Sequence, residues 1–196
     1  MALTRALITD AALAILTEFG LGDLSMRRLA RDLGVQPSAL YWHVKNKQDV
    51  FVLLAERMSA QVDSLQGGSR QGGPNTETQT GIAEALAALR TVLLRYRDGA
   101  EIFTVAYAQA GTEVLPGTLT AAAAAADRTG EVDAWIGYVL GLTAIEQNRD
   151  LLARLDTGPG SAARAAARNS SPLGTPSAEE VFAAGLQRLV GTASEA

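Results

Sequence analysis

Apolar residues recur along this chain at steps of three and four, and no stretch alternates, so the pattern predicts helices and no strand. Ile8, Ala12, Ile15 and Phe19 form the first stripe, on a helix expected from Leu3 to Phe19, with Thr4 as its cap and Gly20-Leu21-Gly22 as its stop. From Ser25 a short helix turns Leu29 and Leu33 inward and leaves Arg27, Arg28 and Arg31 to solvent. Gly34 ends it by supplying the left-handed conformation cheaply. Pro37 then opens the next helix, at a position that needs no amide donor. That helix, Ser38 to Val44, buries Leu40 and presents Ser38, Ala39, Tyr41, Trp42 and His43 outward. Two helices joined by so short a turn make a helix-turn-helix.

Asn46 caps a fourth helix with Asp49 in its first turn and Val50, Leu54, Met58, Val62 and Leu65 on its inner face. Residues 66–81 contain five glycines and no large apolar side chain, so they are expected as a flexible loop. Ile82, Leu86, Leu89, Leu93 and Tyr96 mark a helix closing at Gly99, followed by a short helix over 100–110 with Phe103 and Tyr107 on one side. Pro116 opens an alanine-rich helix running to Arg128, thin enough either to approach a neighbour closely or to leave room for a ligand. The longest helix, Glu131 to Leu155, carries Trp135, Tyr138, Val139, Leu142 and Ile145, with Gly137 and Gly141 four apart. A mid-helix glycine costs about 1 kcal/mol against alanine, so another helix is expected to cross there. Residues 156–177 read as loop with a short turn at 162–168. Ser177 and Glu180 then form a capping box for a last helix whose Val181, Phe182, Gly185, Leu186 and Leu189 face inward. The expected fold class is all-α. A three-helix helix-turn-helix domain covers 1–48, a connecting helix 49–65, and a C-terminal helical domain 66–196.

Composition narrows the function. The 196 residues are 47% hydrophobic and 19% charged, the balance of a globular protein able to bury a core. The lack of cysteine excludes disulfides, thiol catalysis and thiolate metal sites. Thr4, Arg5 and Asp10 break up the N-terminal apolar residues, and no run of 18 apolar residues occurs, so the expectation is a cytoplasmic protein with no membrane partner. Within a chain of net charge -4, five cations (Arg27, Arg28, Arg31, Lys45, Lys47) face a single acid, Asp32, between Ser25 and Lys47. That surplus fits a phosphate-binding face and also a plain solvated hairpin; the exposed Tyr-Trp-His run favours duplex DNA. Gly20-Leu21-Gly22 follows a helix where a dinucleotide loop needs a strand, and the glycines at 67–73 lack the lysine of a phosphate loop. No nucleophile motif, metal cluster or carboxylate-paired histidine supports catalysis, so no cofactor and no metal are expected.

The stretch LITDAALAILTEFGLGDLSMRRLARDLGVQPSALYWHVKNKQDV, residues 7–50, resembles the DNA-binding domain of the tetracycline-repressor (TetR) family of bacterial regulators. YWHVKNK at 41–47 and LLRYRDGA at 93–100 are similar to that family's tetracycline-responsive subgroup. The resemblance implies a homodimer on double-stranded operator DNA, with the helices at 131–155 and 178–191 pairing with their copies as a four-helix bundle. It places Ser25, Met26 and Arg27 at the DNA, Arg27 as the guanine reader. Gln36, Pro37, Ser38 and Ala39 fall at the entry of the recognition helix, Tyr41 on phosphate and base, and Lys47 on phosphate, with Trp42 and His43 flanking. Gln36 to Ala39 departs from the subgroup's Glu-Gln-Pro-Thr, which implies a different operator. The subgroup's metal-ligating histidine is replaced by Phe103 and a second, drug-contacting one around Val62 and Asp63. His43 is the single histidine, so no imidazole-held metal is expected. The implied small-molecule effector is then hydrophobic or aromatic, lined by Leu86, Leu89, Phe103, Tyr107, Trp135, Tyr138 and Leu142, each of which also suits an ordinary core position. The implied action is a repressor released by its effector; an activator of the same fold and a small-molecule-modifying helical enzyme are the alternatives.

Overall fold

The computed structural model describes residues 2–67, 76–155 and 176–191, and all regular structure in them is helical. The helices are α1 (Arg5–Phe19), α2 (Met26–Asp32), α3 (Pro37–Leu40), α4 (Lys47–Gln66), α5 (Thr76–Leu94), α6 (Gly99–Ala110), α7 (Gly117–Ala125), α8 (Val132–Leu155) and α9 (Ala178–Gly191). No described helix is long and apolar enough to cross a membrane. The short turn expected at 162–168 lies outside the described residues.

Local chemistry sets most of the boundaries. Thr4 Oγ1 accepts the Leu7 amide at 3.2 Å and starts α1. Asn46 Oδ1 accepts the Asp49 amide at 2.9 Å and starts α4. Ser177 and Glu180 exchange two hydrogen bonds, the reciprocal box that opens α9. Two expectations fail near α5. Its helix begins at Thr76, inside the stretch expected as loop, and it ends at Leu94 instead of Gly99. Asp98 adopts the left-handed conformation (φ 58°), and Gly99 opens α6 because a β-carbon there would collide with the Leu93 carbonyl. The carbonyl of Leu93 occupies the space a side chain would need, so glycine serves at this position as a close approach.

One core runs the length of the molecule. Ile8, Leu16, Leu29, Leu40 and Leu54 belong to the same cluster as Met58, Val62, Leu86, Phe103, Trp135 and Phe182, all at most 2% exposed. α4 carries that continuity and adds polar ties along its length. Arg57 pairs with Asp10 of α1 at 2.8 Å, Ser59 donates to the Val114 carbonyl at 2.5 Å, and Asp63 accepts both amides of Gly117 and Thr118 at 3.0 and 2.9 Å, capping α7. The thin α7 approaches α5 closely, with space beside Gly81 bounded by the Ala122 methyl at 3.8 Å.

Three residues expected to face inward, Phe19, Leu65 and Val181, stand outside the core, and so does Ile145 of the longest helix. Phe19 is 39%, Leu65 50%, Ile145 47% and Val181 44% exposed. Phe19 lies under the Arg28 guanidinium, 4.4 Å from its ring centre, and Leu65 sits in the last turn of α4. Ile145 and Val181 are only partly covered, on faces of α8 and α9 that stay open to solvent. Gly137 and Gly141 are likewise open, with no atom of the described chain within 4 Å of where a β-carbon would sit. The close helix crossing is instead at Gly185 of α9, against which the Tyr138 phenol packs while donating to the Phe182 carbonyl at 3.0 Å.

Gly185→Ala is therefore expected to cost about 1–3 kcal/mol of stability, read by urea unfolding, whereas Gly137→Ala should be neutral or stabilising in the monomeric fold. A second test concerns Tyr107, which donates to Asp133 at 2.5 Å between α6 and α8. Burial, then the Asp133 hydrogen bond and charge, pushes its phenol up to about 12. A raised folded value means the contribution is complete below the ordinary phenol value of 10.0 and is lost as pH climbs toward about 12. Tyr107→Phe should lose about 1 kcal/mol at neutral pH and flatten that alkaline limb of the stability curve.

Candidate nucleic-acid interface

The helix-turn-helix closes on a few backbone bonds. Ser25 Oγ accepts the Arg28 amide at 3.2 Å and starts α2. Gly34 at φ 65° lets the chain turn back, and the Val35 amide reaches the Ala30 carbonyl at 2.9 Å. Gln36 is extended, and Pro37 is the first residue of α3. α3 is shorter than expected: regular helix stops at Leu40, whose carbonyl accepts the amides of His43 and Val44 at 2.9 and 3.0 Å. Val44 is 2% exposed, so the chain must dive into the core there. The aromatic residues consequently ride on a turn, Tyr41 at 52% and Trp42 at 89% exposure.

Charge on this face is divided. Arg28 is held by Asp32 at 2.9 Å and approaches Asp23 at 4.0 Å. The Asp32 hydrogen bond raises the Arg28 guanidinium further, and the same bond holds the Asp32 carboxyl below its ordinary range. Arg28 is thus occupied internally. Arg27, Lys45 and Lys47 make no ion pair among the described residues, and Arg31, 70% exposed, touches only Asp32 at 3.6 Å. Leu29 and Ala30 are buried, which puts Arg27 and Arg31, four apart, together on the outer side of α2. Lys47 lies over the Phe51 ring at 5.4 Å, in the first turn of α4, while Asp49 accepts the Lys45 amide at 2.7 Å and fixes the loop before it.

The expected residues differ in exposure. Arg27, Gln36, Pro37, Ser38, Tyr41 and Trp42 are exposed; Ala39, His43 and Lys47 are half-buried. Ser25 is exposed but its hydroxyl is committed as a cap, and Met26 packs against the core. One neighbour had no sequence signal: Arg5, whose Nε donates to the His43 carbonyl at 3.3 Å across 38 positions.

The residues expected around an effector divide into two groups. Leu86, Leu89, Phe103 and Trp135 are fully buried, with Tyr107 half-buried beside them in the cluster. Tyr138 and Leu142 instead line a groove of about 420 Å³ with Val181, Gly185 and Arg188, and Tyr138 stacks on Phe182 at 5.6 Å. Within the core the Trp135 indole N–H has no acceptor among the described residues, and neither has Nε of Arg90, a 6%-exposed guanidinium bound to Glu146 at 2.7 Å and to Glu179. A more polar cleft of about 610 Å³ lies where the end of α1 meets residues 94–98 and α8. Gln147 grips that junction, donating to the Leu93 and Tyr96 carbonyls at 3.1 and 2.9 Å and accepting the Ala100 amide at 3.2 Å. Asp98 extends the link by accepting the Leu21 amide at 2.8 Å.

Comparison with known proteins places these features in context. The family model described as bacterial regulatory proteins, tetR family, matches residues 8–54. The class A tetracycline repressor protein of Escherichia coli transposon 1721 is 41% identical over 95 residues, 48% of this chain and 42% of that protein, so the chain spans under half of that relative's length. The solved structure of BioQ with its natural double-stranded DNA operator is 32% identical, covers 99% of this chain and 100% of that one, and superposes with a TM-score of 0.69. A single-substitution variant of TetR from Acinetobacter baumannii AYE, solved in complex with minocycline, is 28% identical, covers 97% of this chain and 92% of that one, and gives a TM-score of 0.65.

Proposed function

This chain belongs to the TetR family of bacterial regulatory proteins, and from that membership we propose that it is a repressor binding a pseudo-palindromic operator as a homodimer and released by a small hydrophobic or aromatic effector. The observation that carries the reading is Trp42, 89% exposed on the turn that follows α3, in a helix-turn-helix whose Arg27, Lys45 and Lys47 make no ion pair among the described residues. A large aromatic surface held in water forgoes burial worth about 1.5–3 kcal/mol unless a partner covers it, and a groove edged by phosphates suits both the ring and the charges. In this reading residues 1–48 form the DNA-binding domain, the helix over 49–65 connects it, and residues beyond 66 bind effector and partner. Arg27 reads a guanine, Gln36, Pro37, Ser38 and Ala39 set the operator sequence, and Tyr41 and Lys47 hold phosphates. Trp42 and His43 flank them.

Support for a dimer comes from α8 and α9. Ile145, Leu151, Leu152, Leu155 and Val181 are 41–68% exposed on these helices, and the open Gly137 and Gly141 leave room for a second backbone to approach. A two-fold pair also doubles the base edges read by an α3 of four residues. The complex of the A. baumannii relative with minocycline supports release by a ligand. Leu86, Leu89, Phe103, Tyr107, Trp135, Tyr138 and Leu142 are our effector-lining set. The unpartnered Trp135 N–H calls for an effector that carries an acceptor oxygen or nitrogen. We assign no catalytic role, and the action is cytoplasmic, where the DNA is.

Selection of duplexes from a random pool with purified protein, followed by release screening of neutral polycyclic compounds, tests the whole reading. On the selected operator Arg27→Ala is expected to cost about 1–3 kcal/mol and to relax base preference, while Lys47→Ala weakens operator and random duplex alike. Equal losses on both duplexes for Arg27→Ala would remove that assignment. Sedimentation of the free protein should show a dimer at micromolar concentration, and a monomer there would refute the two-fold arrangement.

A further inference from the structure

Arg5, the first residue of α1, lies far in sequence from the helix-turn-helix but not in space. Its Nε donates to the His43 carbonyl at 3.3 Å, and His43 belongs to the same turn that exposes Tyr41 and Trp42. That bond uses one of five guanidinium N–H donors. The others find no further hydrogen bond and no ion pair among the described residues, and the side chain is exposed. Several arginines are given carboxylates, Arg28 by Asp32, Arg57 by Asp10, Arg90 by Glu146 and Glu179, and Arg128 by Glu131, whereas Arg5, like Arg97 on the Phe19 carbonyl, meets only a backbone oxygen among the described residues. α1 also carries no acid in its first turn, so nothing nearby on that helix offsets the charge.

A tethered guanidinium has already surrendered part of its rotamer freedom, and its remaining fork is of the planar geometry that fits a phosphate with two parallel hydrogen bonds. Resting on the DNA-binding reading above, we propose that Arg5 is a backbone-phosphate anchor, gripping the operator strand beside the recognition turn from the α1 side. It would flank Trp42 opposite the α4 end, where Lys47 stands. The ligand chemistry is a duplex phosphate, so the contact adds affinity on every sequence and selects none.

Two substitutions in the full-length protein separate this role from a merely structural one. Arg5→Lys keeps the charge and loses the fork; Arg5→Gln keeps a donor for the His43 carbonyl and loses the charge. Binding is measured across a salt series on the selected operator and on a random duplex of equal length. Each lost phosphate contact lowers the log–log salt slope by about 0.9, so Arg5→Gln should lower it by about 1.8 per dimer and weaken both duplexes roughly tenfold, while Arg5→Lys holds close to the native slope. A native slope for Arg5→Gln overturns the proposal, whatever its affinity, and leaves Arg5 as a brace for the α3 exit. A loss confined to the operator also overturns it, because it would make Arg5 a base reader. If the unmodified protein itself shows no salt-dependent duplex binding, the DNA reading beneath both fails. Hydrogen exchange at residues 41–44 of each variant reports the tether independently.

Discussion

α4 cannot move by itself. Its apolar face is sealed against α1 near Leu54 and against α5 and α6 near Met58 and Val62, all fully buried, and its polar side is fastened to Asp10, Val114, Gly117 and Thr118. Interiors packed at this density shift between discrete arrangements and do not deform smoothly. The helix-turn-helix hangs on the first turns of this helix, so its orientation follows whatever the C-terminal helices impose. Gln109 of α6 adds a direct line at this end by donating to Asp49 at 2.9 Å, the same carboxylate that holds the Lys45 amide.

A second, shorter strut runs beside it. Gln147 of α8 organises the bend between α5 and α6, and Asp98 within that bend holds the Leu21 amide just past α1. The helix that presents the partly uncovered apolar face is thereby connected to the helix-turn-helix module in two hydrogen-bonded steps. Any pairing of α8 with another chain, or any ligand that rotates it, acts on the same bend that fixes α1.

The sequence made the helices legible because each carries its own signals: Thr4, Ser25, Asn46 and Ser177 cap where their side chains suggested, and Gly34 turns as its missing β-carbon allows. What it hid were contacts between distant positions. The pairing of Arg28 with Asp32 one turn on is a local spacing, but no local feature marks the Leu21 amide held by Asp98 or the His43 carbonyl met by Arg5, 77 and 38 positions away. Periodicity also marks an apolar stripe without saying whose surface covers it. Ile145 and Val181 lie on apolar stripes of this kind, yet the described chain leaves nearly half of each exposed. The glycine spacing likewise marks room for a neighbour at Gly137 and Gly141 without saying which chain supplies it: within the described chain nothing approaches them, and the close crossing is at Gly185 against Tyr138.

The brevity of α3 has one more effect. Its fixed parts are Leu40, locked in the core, and Gly34 with Pro37, which shape the turn; Gln36 and Ser38 lie in water, and neither side chain makes a bond to the rest of the chain among the described residues. Exchanging such residues leaves packing untouched, and surface changes of this kind usually stay within about 0.5 kcal/mol of neutral. If these positions read an operator, as proposed, a duplicated copy of the gene would reach a new target through two or three substitutions, without first having to accumulate spare stability.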